Sequence, residues 1–359
     1  MVFELEKIVR ENIKRLVPYS SARREHTGNA RVFLDANENS FGSPLAESYN
    51  RYPDPVQTEL RERVAALSGI CPSEVFVGNG SDEAIDLLVR IFCRPGVDDI
   101  LVCPPTYGMY EVAAGINDVG VKRVNLTSDF ELDQAAVFAG LSENTKLLFL
   151  CSPNNPTGNV MCREAVLEIA EKFSGIVVVD EAYIHFSSQT SLTAEIKRLS
   201  NLVILQTFSK AYGLAGLRVG LAFANAEIIT LLDKVKPPYN VSQASQQFVL
   251  DALDKKSEVD HTVAQIIRER DALADALRRL SVVTQIYPSE ANFLLTKFTD
   301  PITVYNYLLG EQIVVRNRSN LQLCDGCLRI TVGTPDENDA LLRALKKYES
   351  GTYEKSTVH

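Results

Sequence analysis

Five short apolar segments, each followed by polar residues, constrain the fold of this chain more than any other feature. The segments are continuously apolar and are separated by stretches long enough for a helix, which is typical of parallel strands covered on both faces. They are Val75 to Val77, Ile100 to Cys103, Leu147 to Cys151, Ile176 to Val179 and Leu202 to Leu205. We therefore predict an α/β fold with a mostly parallel sheet covered by helices.

The distribution of this pattern over 359 residues predicts two domains. The alternation of strands and helices runs over residues 30–245 and predicts a large domain that binds the ligand. Residues 246–359 contain a long charged helix and further strand-like segments, which indicate a smaller α/β domain. Residues 1–29 predict a helix and a polar arm that joins the smaller domain. The polar tail from Lys346 onward is predicted to fray.

Charge narrows the possible partners. The net charge is −9, with an isoelectric point near 5.2, so neither nucleic acid nor an anionic membrane would be attracted. No apolar run reaches the ~20 residues of a membrane span, and the N-terminus lacks the apolar core of a signal peptide. These features predict a cytoplasmic protein.

The seven cysteines are scattered along the chain, and their odd number argues against a complete set of disulfides. Cys324 and Cys327 form a single C-x-x-C motif without a second pair and without a histidine at zinc spacing. We predict reduced thiols and no metal site, and the sequence leaves any role of this pair open.

Polar residues follow the apolar segments at the places where a ligand would bind. Ligands of open parallel sheets lie beyond the carboxyl ends of the strands. The residues that follow the five segments include Ser81, Asp82, Tyr107, Asn155, Asp180, Tyr183, Thr207, Ser209 and Lys210. We therefore expect these side chains to surround one crevice.

Lys210 is the candidate catalytic residue. It follows an apolar strand, which suits a lysine that forms an imine with an aldehyde cofactor. Thr207, Ser209 and Arg218 supply donors for an anionic group nearby. An aldehyde and a phosphate together indicate pyridoxal 5'-phosphate as the cofactor. The alternative is an ordinary surface lysine, the commonest situation for this residue type.

Four further strand-end residues have a chemical interpretation, and three of them also have a structural one. Asp180 could pair with a protonated pyridine nitrogen, or it could cap the following helix. Asn155 and Tyr183 could bind the ring oxygen, although Asn155 also belongs to a turn sequence. Tyr107 could stack on the ring or simply pack.

The loop from Gly78 to Glu83 precedes a helix and could bind a phosphate through its backbone N–H groups. It is not a dinucleotide fingerprint, because Glu83 stands where the third glycine would be. It also lacks the lysine of a P-loop.

The chain resembles the fold-type I pyridoxal-phosphate aminotransferases, and among them the histidinol-phosphate aminotransferases. The resemblance runs along nearly the whole chain. Its blocks are Val17 to Arg24, Leu34 to Asn39, Asn50 to Asp54, Pro104 to Tyr110, Leu328 to Thr334 and the stretches at 151, 180 and 210. One departure is Ser40, where relatives often have proline.

The resemblance implies roles for individual residues. Lys210 would form the imine and later move the proton, with Asp180 at the ring nitrogen, Asn155 and Tyr183 at the ring oxygen, and Tyr107 on the ring. The residues implied at the cofactor phosphate are Ser81, Asp82, Ser209, Arg218 and, from the neighbouring subunit of a homodimer, Tyr52. The residues implied at the substrates are Arg329 for the α-carboxylate of glutamate, Arg316 and Tyr19 for the substrate phosphate, and Asn37 nearby.

The implied reaction exchanges an amine between L-histidinol phosphate and 2-oxoglutarate by a ping-pong mechanism, as a step of histidine biosynthesis. The alternatives are an aromatic amino-acid aminotransferase and a pyridoxal-phosphate decarboxylase of a phosphorylated amino acid. A non-catalytic regulatory module is disfavoured, because the chain lacks a basic DNA-binding segment and keeps every catalytic position.

Overall fold

The computed structural model describes residues 3–19, 31–45 and 48–351. Within these ranges lies a seven-stranded sheet in the order β1-β7-β6-β5-β4-β2-β3. Its strands are β1 Val75–Asn79, β2 Asp99–Val102, β3 Gly120–Arg123, β4 Thr145–Cys151, β5 Ile176–Asp180, β6 Leu202–Thr207 and β7 Val219–Ala224. All run parallel except β7, which is antiparallel to both of its neighbours, β1 and β6.

Helices cover both faces of this sheet, as the continuous apolar strands predict. They are α3 Thr58–Ser68, α4 Ser81–Phe92, α5 Met109–Ile116, α6 Gln134–Gly140, α7 Arg163–Lys172, α8 Ala226–Val235 and α9 Gln243–Leu253. Strand β5 is buried throughout, and its alternate residues enter two different cores. Val177 belongs to the core that includes residues of α3, α6, α7 and α9, whereas Val178 belongs to the core that includes residues of α4, α5 and α8. The predicted fold class is confirmed.

The C-terminal part forms a second, smaller sheet with the order β10-β11-β9-β8, in which all neighbours are antiparallel. Its strands are β8 Val283–Ile286, β9 Phe293–Phe298, β10 Arg316–Asn317 and β11 Cys327–Thr331, and its helices are α10 Lys256–Leu277, α11 Pro301–Gly310 and α12 Pro335–Glu349. These elements share a core of their own. The tail is helical up to Glu349, so the predicted fraying from Lys346 is wrong at its start, and residues 352–359 lie outside the described part.

The N-terminal segment forms two short helices, α1 Leu5–Ile8 and α2 Glu11–Arg15, where the sequence predicts one. The break comes at Arg10, whose backbone N–H donates to the carbonyl of Ile91 and whose side chain donates to that of Arg90. These helices pack against the core of the large domain. The predicted grouping of residues 1–29 with the small domain stays a prediction, and residues 20–30 of the arm lie outside the described ranges.

In residues 3–19, 31–45 and 48–351, no helix combines the length and the apolar character needed to cross a bilayer.

Candidate active site

The carboxyl ends of the parallel strands meet at one edge of the large sheet, where a cavity of about 390 Å³ opens. Strand β7 begins at this edge because it runs antiparallel, so Arg218 directly before it joins the same wall. The small sheet contributes residues from β10 and β11. The predicted residues that line this cavity are Ser81, Asp82, Tyr107, Asn155, Asp180, Tyr183, Thr207, Ser209, Lys210, Arg218, Arg316 and Arg329.

Lys210 projects from the segment that follows β6 and is half-buried. Burial lowers the pKa of Lys210, the positive charge of Arg329 lowers it further, and the charge of Asp180 opposes both. The amine lies 5.5 Å from the ring centroid of Tyr183, and no described residue forms a hydrogen bond with it. A lowered pKa increases the fraction of neutral amine, which is the form that attacks a carbonyl carbon.

Asp180 ends β5 with its side chain only 3% exposed. Burial raises the pKa of Asp180 to about 6, and two hydrogen bonds limit this rise. The Tyr110 hydroxyl donates to one carboxylate oxygen at 2.8 Å, and the backbone N–H of Ala182 donates to the other at 3.1 Å. The carboxylate is therefore held in one orientation at the floor of the cavity.

Tyr110 is a site residue that the sequence interpretation missed. Its ring is fully buried, stacks on Phe149 with 4.7 Å between centroids, and meets the edge of Tyr107 at 5.5 Å. The available signal was its spacing of three residues from Tyr107, which places both rings on the same side of a helix start.

Asn155 connects the two domains at the cavity. Its carboxamide oxygen accepts a hydrogen bond from Arg329 on β11 at 2.5 Å, and its nitrogen donates to the Tyr183 hydroxyl at 3.4 Å. The Arg329 guanidinium also lies 5.2 Å from the ring centroid of Phe293. These contacts fix the amide orientation, with its nitrogen on the side of Tyr183.

Two glycines allow other groups to lie close to the backbone at the loop before α4. Gly80 has a φ of +74°, and a Cβ there would lie 2.7 Å from a guanidinium nitrogen of Arg218, so only glycine fits without displacement. A Cβ on Gly220 would lie 2.1 Å from the backbone nitrogen of Ser81. No side chain caps the start of α4, which leaves its first N–H groups available to an anion beside Arg218.

Three arginines form the small-domain wall of the cavity. Arg316 and Arg329 are predicted site residues, whereas Arg318 is a second residue that the sequence interpretation missed. The signal for Arg318 was its position two residues after Arg316, since alternate residues of a strand share a face.

Three predicted site residues lie outside the cavity of their own chain. Tyr52 is half exposed and stacks on Tyr239, with 4.5 Å between ring centroids and 15° between ring planes. Tyr19 is 73% exposed, and Asn37 is exposed with a φ of +54°. Residues 20–24, which complete the first block of the resemblance, lie outside the described ranges.

The sequence matches the family model for class I and class II aminotransferases over residues 31–345. A histidinol-phosphate aminotransferase of Cytophaga hutchinsonii is 50% identical over 97% of this chain and 100% of the relative. One of Parabacteroides distasonis is 51% identical over 96% of this chain and 98% of the relative.

Solved structures with little sequence identity share the fold. A histidinol-phosphate aminotransferase from Sinorhizobium meliloti in complex with pyridoxal 5'-phosphate has a TM-score of 0.79 at 23% identity, over 89% of this chain and 90% of that one. An L-threonine-O-3-phosphate decarboxylase from Porphyromonas gingivalis has a TM-score of 0.72 at 24% identity, over 84% and 91%. Because both enzyme types share the fold, the fold does not distinguish transamination from decarboxylation.

Proposed function

Because the chain belongs to the class I and class II aminotransferases, we propose that it transfers the amine of L-histidinol phosphate to 2-oxoglutarate, giving imidazole-acetol phosphate and glutamate in histidine biosynthesis. One observation carries this proposal. Lys210 lines the same cavity as three arginines, which form no ion pair with any described acidic residue. These arginines are Arg316, Arg318 and Arg329. Guanidinium groups suit phosphate and carboxylate, which are the anionic groups of the two substrates.

Pyridoxal phosphate is the cofactor of this family, and the donor set of the cavity fits it. Lys210 would bind the aldehyde carbon of the cofactor, and Asp180 would pair with its ring nitrogen. Asn155 and Tyr183 would form hydrogen bonds with its ring oxygen. Tyr107 would stack on the face of the ring. Its phosphate would be held by the N-terminus of α4 with Ser81, Asp82, Thr207, Ser209 and Arg218. When bound, this group supplies a carbon that exchanges amines and a ring that withdraws electrons from the substrate carbon.

The residues of this chain then supply proton transfer and orientation. The Lys210 Nζ accepts the proton that leaves the substrate carbon, and its lowered pKa increases the fraction of neutral amine that can do so. Asp180, ionised above a pH of about 6, supplies the negative charge that keeps a ring nitrogen protonated. Arg329 orients the α-carboxylate of glutamate.

The decisive experiment compares kcat/KM for histidinol phosphate, phenylalanine and phosphothreonine under identical conditions. We expect histidinol phosphate to have the highest value and to give parallel double-reciprocal lines with 2-oxoglutarate, as a ping-pong mechanism requires. A higher value for phenylalanine would identify an aromatic amino-acid aminotransferase instead. Release of carbon dioxide from phosphothreonine as the main reaction would identify a decarboxylase.

We also propose a homodimer in which Tyr52 reaches the cofactor phosphate of the partner subunit. Tyr52 lies outside the cavity of its own chain, and the segment around it exposes an unusual amount of apolar surface. The exposed apolar side chains of this segment are Leu16, Val17, Tyr19, Val32, Leu34, Phe41, Leu45 and Tyr49. A second copy of the chain would cover these side chains.

Mixing two inactive variants tests this arrangement. Lys210→Ala and Tyr52→Ala subunits are unfolded and refolded together, and the activity is compared with each variant refolded separately. If Tyr52 acts across the interface, a mixed dimer contains one site with both Lys210 and Tyr52, so we expect recovery of up to roughly a quarter of wild-type activity on random pairing. If Tyr52 acts within its own chain, mixing restores nothing.

A cytoplasmic location fits the same proposal. All seven cysteines are free in the structure, and five of them are buried. Free thiols are the rule in reducing compartments such as the cytoplasm.

A further inference from the structure

We propose that Arg318 binds the phosphate of the amino-donor substrate and so completes a three-arginine site with Arg316 and Arg329. The inference rests on the proposed function and deepens it, because it names the residue that distinguishes a phosphorylated substrate from its unphosphorylated counterpart.

Strand register places the three arginines together. Arg316 pairs directly with Arg329 across the antiparallel strands β10 and β11. The backbone N–H of Arg318 donates to the carbonyl of Cys327 at 3.0 Å, so the pairing continues beyond the end of β10. Alternation along an extended strand then directs Arg316 and Arg318 to one face and Asn317 to the other. All three arginines line the cavity.

Some donors of these guanidinium groups have no partner. The Nε atoms of Arg318 and Arg329 are buried without a hydrogen bond, and Arg318 makes no ion pair within residues 3–19, 31–45 and 48–351. Burial lowers the pKa of Arg318, and the charges of Arg329 and Arg316 lower it further. Neighbouring like charges with buried, unused donors favour the binding of an anion.

The acidic residues of the cavity are not placed to neutralise these arginines. Asp82 lies 3.6 Å from Arg218, and Asp180 accepts its hydrogen bonds from Tyr110 and Ala182 at the floor. The excess positive charge on the small-domain wall is therefore available to substrate.

A phosphate dianion matches this site better than a carboxylate does. A phosphate ester presents three terminal oxygens and up to two charges, whereas a carboxylate presents two oxygens and one charge. Buried donors without a partner remain on Arg318 and on Arg329, although Arg329 already donates to Asn155 through another nitrogen. A substrate without a phosphate would leave the buried Nε of Arg318 without an acceptor, which makes the site selective against it.

The test compares histidinol phosphate with L-histidinol, which lacks only the phosphate. In Arg318→Gln we expect the ratio of their kcat/KM values to fall by about 10- to 100-fold, mainly through the KM for histidinol phosphate. Inorganic phosphate, used as a competitive inhibitor, should also bind more weakly to this variant. Arg318→Lys should recover part of the ratio, since it restores the charge without the planar fork. Arg279→Gln removes an exposed arginine outside the cavity and should leave the ratio unchanged.

The possible failures can be told apart. If the wild-type protein does not prefer histidinol phosphate to L-histidinol, the proposed function fails and this inference fails with it. If the wild type shows the preference and Arg318→Gln retains it, only the inference on Arg318 is wrong. Equal losses for both substrates, with unchanged inhibition by inorganic phosphate, would assign Arg318 a structural role and would also overturn the inference.

Discussion

Lys210→Ala is expected to lower transamination by about 10⁴-fold or more, because in the proposed mechanism Lys210 supplies both the amine that holds the cofactor and the base that moves the proton. The rest of the cavity keeps its anion-binding groups, so the variant should still bind pyridoxal phosphate, but without a covalent bond. Of the changes considered, this one should have the largest effect on activity.

Two measurements check this result. Borohydride reduction of the wild-type protein followed by peptide mass spectrometry should locate the cofactor on the peptide that contains Lys210, and the variant should carry no covalent cofactor. Lys172→Ala is the matched control, because Lys172 is an exposed lysine paired with Glu168 on α7. Covalent cofactor on any other lysine of the wild type would contradict the assignment.

Asp180→Asn is expected to change activity and stability in opposite directions. Activity should fall by about 10²- to 10³-fold, because a neutral amide does not keep a ring nitrogen protonated. The cofactor-free variant should nevertheless be more stable than the cofactor-free wild type, because a buried charge has been removed. An amide can still accept from the Ala182 N–H and donate to the Tyr110 hydroxyl, so the fold should be retained.

The sign of the stability change follows from the pKa of Asp180, which rises from 3.8 to about 6 on folding. Between these values the folded protein retains a proton that the unfolded chain has released, so the free energy of unfolding falls as pH rises through this window and stays lowered above it. At ~1.4 kcal/mol per pKa unit, Asp180→Asn should raise the free energy of unfolding by up to about 3 kcal/mol at a pH of about 8.

Urea unfolding of the cofactor-free proteins at about pH 4 and about pH 8 measures this difference. Tyr110→Phe is the informative companion variant. It removes the hydroxyl that donates to the carboxylate at 2.8 Å, so it should lower the stability at alkaline pH while keeping the charge. Equal stability of Asp180→Asn and wild type across this range would show that the burial of Asp180 carries no cost.

The parts of the site that could be predicted are those that follow apolar strands. Asp180 and Lys210 come directly after segments whose uninterrupted apolar character predicts parallel strands, and parallel strands align their carboxyl ends. Asn155 follows a third such strand. For these residues, the local sequence pattern is enough to predict their position, because the topology of the sheet places the ends of these strands at the cavity.

The remaining parts depend on long-range packing that local patterns do not encode. Arg218 is predicted from its closeness in sequence to Lys210, but it reaches the cavity because β7 runs antiparallel to its neighbours, and the sequence interpretation did not identify this strand. Tyr110 acts from a helix, and its role is visible only once its hydroxyl is seen beside Asp180. Arg318 directly follows β10, which is only two residues long and too short to detect by periodicity. The proposed role of Tyr52 concerns a second chain.

The hydrogen bond between Arg329 and Asn155 orients the guanidinium group but does not use all of its donors. One nitrogen of Arg329 donates to the carboxamide oxygen of Asn155, while the buried Nε has no partner among the described residues. An anion can therefore accept from the unused donor without displacing Asn155, and a charged acceptor forms the stronger bond. The arginine is thus already held in one orientation before an anion arrives, so binding does not have to order this side chain first.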